Sequence, residues 1–249
     1  AARPDSAATT GPNASETDDE QAPLRIAVPK GSLKDDTIAA LEAVGIDASG
    51  LRNPGRHLII RTRDTREGEG AIGPVELVIV RATDAPAFVA LGGTDCGICG
   101  RDSLIEADLD LLQLVDLAYG ACRFIEAEPA GRAEATKRSY ARRGCLRVAT
   151  KYPRIASAWY EERGVNAEVV ALHGNIELGP IVGLADRIVD ITATGTTLRE
   201  NDLVITGELM TCTARFFANP GRARLDPRVR ELARRLAAWR DESACDDAH

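Results

Sequence analysis

From Leu24 onward, short apolar runs alternate with stretches whose apolar positions recur at helical spacing. Residues 24–28, 57–61, 75–81, 96–99 and 112–116 are apolar runs of strand length. Between them, Ser32 stands as a helix cap with Asp35 three residues on, and Ile38, Leu41 and Val44 follow on one face until Gly45 stops the helix. Asp84 stands before a second helix that has Pro86 in its first turn, and residues 102–107 predict a third. The order repeats after Cys122. Residues 123–127, 146–149, 169–172 and 187–191 predict strands. Residues 153–163, a segment around 177–184 and a turn starting near Thr197 predict helices. The last helix, residues 226–240, carries Val229, Leu232, Leu236 and Trp239 on one face and arginines opposite, so it is expected to pack on the first lobe.

Repeated strand–helix alternation implies an α/β fold with mainly parallel sheets, and two such runs imply two lobes. Binding sites in such folds lie at the carboxyl ends of strands. Lys30, Arg81, Asp84 and the 190–197 loop all fall at predicted strand ends. The segment from Val189 to Leu198 is the richest in chemistry. A buried strand runs into a turn of threonines and one glycine, and a helix starts directly after it. Such a turn aims backbone N–H groups and hydroxyls at one point, where the helix dipole favours an anion. Asp190, at the strand end, is placed to accept hydrogen bonds from sugar hydroxyls. One loop would thus hold both ends of a ribose 5-phosphate.

The net charge of −7 changes this picture little. Residues 1–23 hold Arg3 against five acids, and residues 241–249 add four more acids, which leaves a body of 30 basic and 29 acidic residues. Both ends are expected to be disordered. No segment shows a sustained basic excess with interleaved aromatics, so nucleic acid is not an expected partner. No apolar run is long enough for a membrane span. No basic-then-apolar leader opens the sequence, and the six cysteines are scattered through apolar segments. A cytoplasmic location with reduced thiols is expected. Cys96-Gly97-Ile98-Cys99 has the spacing of a redox or half-zinc motif, but no second pair completes a site, and it reads as small apolar residues at a strand end. His173 reads as a packed or exposed histidine rather than a catalyst.

Taken in order, the motifs resemble one family. Leu24-Arg-Ile-Ala-Val-Pro-Lys-Gly-Ser-Leu33 is similar to the opening strand and loop of ATP phosphoribosyltransferase, the first enzyme of histidine biosynthesis. Val80-Arg-Ala-Thr-Asp84 with Pro86 resembles its arginine–aspartate loop. Asp95 to Asp102, Arg147 to Pro153 and Gly174 to Leu178 match further blocks. Gly183 to Asp190, with Thr194-Gly195 and Thr197-Leu198, resembles its phosphoribosyl-binding signature. The similarity runs from about Leu24 to Asn219. The chain departs from the family in having Ser32 where arginine is frequent and Ala193 where a polar or acidic residue is frequent. Residues 128–144 form a longer connection than usual.

The resemblance implies a two-lobed fold like the type II periplasmic binding proteins. Residues 24–119 with 210–240 would form the lobe facing ATP and pyrophosphate, and residues 120–209 the phosphoribosyl lobe, with crossings near Gly120 and Met210. Lys30, Arg81 and Asp190 would be the catalytic residues. Arg56, Asp84, Glu177 and the loop residues Thr192, Ala193, Thr194, Gly195, Thr196 and Thr197 would bind the substrates, with no dedicated protein metal site. Magnesium would accompany ATP and phosphoribosyl pyrophosphate. About 30 residues follow Asn219, so the resemblance is to the short form, which lacks a C-terminal regulatory domain and works in a hetero-oligomer with a subunit similar to histidyl-tRNA synthetase. Two other readings are a non-catalytic two-lobed solute-binding module that closes on a phosphate ligand, and a weak subunit active only with its partner.

Overall fold

The structure, a computed structural model, describes residues 22–246. The acidic N-terminal segment expected to be disordered lies, apart from Ala22 and Pro23, outside the described residues. The first lobe opens with β1 (Leu24–Lys30), α1 (Lys34–Ala43), β2 (Ile59–Arg63) and β3 (Pro74–Arg81). It continues with α2 (Ala85–Ala90), β4 (Cys96–Gly100), α3 (Arg101–Ala107) and β5 (Leu112–Asp116). The chain then builds β6 (Cys122–Pro129), α4 (Ala133–Arg143), β7 (Leu146–Thr150), α5 (Pro153–Glu162) and β8 (Ala167–Ala171). α6 (Leu178–Ile181), β9 (Arg187–Thr192), α7 (Thr196–Glu200) and β10 (Leu203–Cys212) complete the second lobe. It returns through β11 (Ala214–Ala218), α8 (Pro220–Leu225) and α9 (Pro227–Asp246).

Two sheets result. The first has the order β2-β3-β1-β4-β11-β5 and the second β10-β6-β9-β7-β8. The chain passes between them at residues 117–121 and again at Thr213, three residues beyond Met210. β1 pairs in parallel with both β3 and β4, and β7 pairs in parallel with both β8 and β9. These inner strands are covered on both faces, which is why β1 and β4 read as near-continuous apolar runs. Cys96 and Cys99 are buried in β4 as part of that filling. The expectation of mainly parallel sheets needs correction: five of the nine strand pairings are antiparallel. The reason is that β10 and β11, the strands flanking the second crossing, run back against β6, β4 and β5.

Other differences have local causes. The connection over residues 128–144 contains the helix α4, whose eleven residues bury only Thr136 and so show no apolar stripe in the sequence. Ser32 does not cap α1; Leu33 holds the N-cap position, with no side-chain capping bond. The C-terminal helix runs on to Asp246, so residues 241–246 are helical rather than a disordered tail. Among the described residues no helix is long and apolar enough to cross a membrane.

α9 packs Val229, Leu232 and Leu236, all fully buried, against the first lobe's core around Ile26, Leu41 and Phe216. One arginine of its polar set is drawn inside with them. Arg235 follows Leu232 by three residues and is 5% exposed. Its guanidinium donates to Asp64 Oδ1 (3.1 Å) and Oδ2 (2.9 Å), to the Val44 (3.0 Å) and Gly70 (2.7 Å) carbonyls, and to Glu231 Oε1 (2.9 Å). All five donors of the fork are used. Asp64 in turn accepts the Arg66 and Ile72 N–H groups at 3.1 and 2.8 Å. Burial works against the Asp64 carboxylate, but the hydrogen bonds from Arg235, Ile72 and Arg66 outweigh it and hold its pKa below 3.8.

Candidate active site

β9 lies between β6 and β7 in the second sheet, so the loop at its carboxyl end is held from both sides. Its first residue anchors it: Arg187 donates to Glu126 Oε1 (2.8 Å) and Glu128 Oε2 (2.9 Å), both buried carboxylates. At the other end the strand turns. Thr192 Oγ1 accepts the Gly195 N–H at 2.8 Å, and the Thr194 and Thr196 hydroxyls are 3.0 Å apart. Gly195 has φ +71°, a left-handed conformation that glycine adopts without cost. A Cβ there would also come within 3.3 Å of the Arg199 guanidinium. Arg199, on α7, folds back over the turn and donates to the Thr194 carbonyl (3.1 Å) and Thr196 Oγ1 (3.0 Å). Among the described residues nothing accepts the N–H groups of Thr197 and Leu198, in the first turn of α7. The turn therefore presents free amides, exposed threonine hydroxyls and a nearby cation, the features that bind a phosphate.

Asp190 precedes this turn on β9. Its Oδ1 accepts the Ile191 N–H at 2.8 Å. Burial pushes its pKa up to about 6; the Ile191 bond and the charge of Lys151 draw it down, and Glu177 pushes it further up. Asp190, Lys151 and Glu177 thus share one electrostatic neighbourhood. Glu177 occupies the N-cap position of α6 but makes no capping bond, so its carboxylate is not spent on the helix.

A cleft of about 680 Å³ opens between the lobes. Arg81, Thr83 and Asp84, at the end of β3, line one side with Ser103 and Glu106 of α3. Lys151, Tyr152 and His173, at the ends of β7 and β8, line the other. Lys30 lies opposite Arg81 in the β1–β3 register but faces a separate pocket of about 260 Å³ with Lys34 and His57. Arg56 is exposed and does not line that pocket, although its neighbours Gly55 and His57 do. The expected residues therefore fall in three groups: Arg81 and Asp84 in the cleft, Lys30 and Arg56 on the first lobe outside its lining, and Asp190, Glu177 and residues 192–197 on the second lobe. The 192–197 turn does not itself line the cleft; Asp190 connects it there through Lys151.

Several residues of this region were not singled out in the sequence. Lys151 and Tyr152 follow β7 directly and fall within the Arg147 to Pro153 block, so strand-end position and that block were the available signals. Arg199 gave none, since only the folded turn brings it back over Thr194. The α3–α5 contact gave none either. Glu106 accepts the Arg154 and Ile155 N–H groups, both at 3.0 Å, and so caps α5 of the other lobe. Arg154 also pairs with Asp108 at 2.9 Å. Asp102 is buried beside this contact; burial raises its pKa, and hydrogen bonds from Tyr152 and Ser103 partly offset that rise.

The sequence model of the HisG family, ATP phosphoribosyltransferase, matches residues 81–238. The ATP phosphoribosyltransferase of Rubrobacter xylanophilus is 48% identical over 202 residues, 81% of this chain and 89% of the relative. That of Moorella thermoacetica is 44% identical over 198 residues, 79% of this chain and 83% of the relative. Among solved structures, the ATP phosphoribosyl transferase (HisG:HisZ) complex from Thermotoga maritima matches with a TM-score of 0.69 at 30% identity, covering 88% of this chain and 98% of that one.

Proposed function

The chain belongs to the ATP phosphoribosyltransferase family, and from that premise we propose how its residues carry the reaction. It transfers the phosphoribosyl group of phosphoribosyl pyrophosphate to N1 of ATP and releases pyrophosphate, the first step of histidine biosynthesis. Its fold is two-lobed α/β, of the type II periplasmic-binding-protein-like class. The observation that carries the site assignment is the turn after β9, with its free amides beside a half-buried carboxylate whose pKa is raised.

In this reading the 5-phosphate sits against the Thr197 and Leu198 amides, the backbone at Ala193 and the hydroxyls of Thr194, Thr196 and Thr197. Thr192 and Gly195 shape the turn through their own hydrogen bond. Asp190 accepts hydrogen bonds from the ribose hydroxyls. Arg81, with Lys30 and Arg56 beside it, faces pyrophosphate and the ATP phosphates; Asp84 and Glu177 contact adenine or ribose. Lys151 adds a positive charge between the two lobes. The C1–oxygen bond to pyrophosphate breaks as the bond to adenine N1 forms, so no covalent nucleophile is needed. Rate comes from holding the two substrates in line and from cations placed where charge develops on the leaving group.

Magnesium, when bound, neutralises the diphosphate. No group of three or more His, Cys, Asp or Glu side chains converges among the described residues. In this reading the ion would be held mainly by substrate oxygens and water, as magnesium favours. A cytoplasmic location follows from substrates made and used there. By likeness to the Thermotoga complex, the chain's partner is a HisZ-type regulatory subunit, the one expected to resemble histidyl-tRNA synthetase. Pyrophosphate release from ATP and phosphoribosyl pyrophosphate, measured for the chain alone and with that subunit, tests the activity and its dependence on the partner. Release in neither case would contradict the reading.

A pH prediction follows from Asp190. Only the ionised carboxylate accepts two ribose hydroxyls, so kcat/KM for phosphoribosyl pyrophosphate is expected to fall as pH drops through about 6. The substrate's own phosphate titrates in the same range. The decisive readout is therefore the difference between wild type and Asp190→Asn, whose profile should keep the phosphate's limb and lose that of Asp190. Superimposable profile shapes would remove the carboxylate from the site.

A further inference from the structure

The two connections between the lobes are each flanked by a cysteine. Cys122 is the first residue of β6, directly after the 117–121 crossing, and Cys212 is the last residue of β10, directly before the crossing at Thr213. They are opposite one another in the antiparallel β6–β10 register, at the end of a regular stretch that includes Thr211↔Arg123. Directly opposed residues of antiparallel strands have Cα atoms about 4.5–5.5 Å apart and present their side chains on one face. A disulfide spans roughly 4.4–6.8 Å between Cα atoms. Both side chains join the same apolar cluster as Phe124 and Tyr152. Cys122 is half-buried and Cys212 buried. Among the other thiols whose side chains are described, Cys96 and Cys99 are sealed within β4, and Cys145 stands apart from the pair, near Glu168.

We propose that Cys122 and Cys212 form a redox modification site, in which the two thiols close to a reversible disulfide that ties together the strands entering and leaving the second lobe. The oxidant is a small-molecule disulfide of the glutathione type. Cys122, the more accessible thiol, attacks it as the thiolate; a new S–S bond forms to one half, and the other half leaves as thiolate. Cys212 then attacks the Cys122 sulfur, releasing the second half as a thiol that takes the Cys212 proton. Two protein thiols are oxidised, and one disulfide is reduced to two thiols. The pairing suits these roles. The hydrogen bond from Cys212 draws the Cys122 thiol below its usual range, while the same bond and burial push Cys212 up. Asp102 lies close enough to raise both thiols and also bonds Tyr152, which lines the cleft. A covalent tie at this point stiffens the place about which the lobes must move to close on substrate.

The full-length chain equilibrated with glutathione disulfide tests this by non-reducing peptide mapping and amide hydrogen exchange. The expected result is a 122–212 linked peptide that dithiothreitol reverses, with slower exchange in residues 117–121 and at Thr213 and Ala214. Cys212→Ser should stop at a glutathione adduct on Cys122. Cys122→Ala, a change at the half-buried partner, should leave Cys212 unmodified. A wild type that accumulates only the Cys122 adduct, or is modified at Cys145 alone, would overturn the site. A linked form whose crossing segments exchange as fast as the reduced form would overturn the stiffening.

Discussion

Replacing Asp190 with asparagine is expected to lower turnover by at least about tenfold, roughly 1.4 kcal/mol of transition-state stabilisation, while leaving the protein no less stable. The two halves of this expectation have one cause. In the folded protein burial lifts the Asp190 pKa from 3.8 to about 6. The native state therefore holds a proton that the unfolded chain releases between those values, and stability declines as pH rises through that window. Above it the full cost of burying the charge is borne, at about 1.4 kcal/mol per pKa unit. Asparagine keeps the shape and removes the charge, so at neutral pH the variant should unfold at the same temperature or higher. A residue retained for structure would behave in the opposite way. Steady-state kinetics with both substrates, run beside thermal unfolding, separates the cases: unchanged turnover, or lost activity accompanied by a lower Tm, would remove Asp190 from the reaction.

Arg235→Ala is expected to destabilise the protein by about 3–5 kcal/mol, the usual result of stripping one partner from a buried ion pair. The loss is large because Arg235 uses all five donors and joins α9 to the Val44 and Gly70 carbonyls and to Asp64. Its removal leaves those acceptors buried and Asp64 charged without a counter-ion. Against a typical total of about 5–15 kcal/mol, this approaches loss of the fold. The Asp64 contribution has a definite pH range. Its folded pKa lies below 3.8, so the stabilisation is complete above that value and is lost as pH falls through the lower folded one. Urea unfolding at neutral pH measures the effect. A shift below about 1 kcal/mol would place the pair with ordinary surface ion pairs.

What the sequence made legible follows physical rules. Strands β1, β4 and β7 were readable because burial on both faces writes a near-continuous apolar run. β10 was not. It pairs only with β6, at the sheet edge, with two register shifts, and buries only its two end residues, so Thr206, Gly207 and Glu208 break any alternation. β11 does have an apolar core in Phe216 and Phe217, but its place between β4 and β5 depends on a partner more than 90 residues earlier. α4 gave no signal because it is almost wholly solvated. The same division holds in the site. Strand-end residues such as Arg81 and Asp190 could be named in advance, since parallel strands deliver their carboxyl ends to one side. The α5 cap from Glu106 and the Arg199 fold-back could not, because each exists only once distant elements or a turn have closed.

Thr192 also gained a more exact role in the structure. Its hydroxyl is already engaged by the Gly195 N–H, so it supports the turn, and the free donors lie further on at Thr197 and Leu198. The loop thus divides into residues that hold its shape and residues left to hold an anion.

The most direct test of this account is a crystal structure of the protein with phosphoribosyl pyrophosphate bound. The 5-phosphate should lie on the Thr194–Thr197 turn, with the ribose diol on Asp190 and the diphosphate reaching toward Lys151 and Arg81. A ligand well ordered elsewhere, with that turn occupied only by solvent, would contradict it.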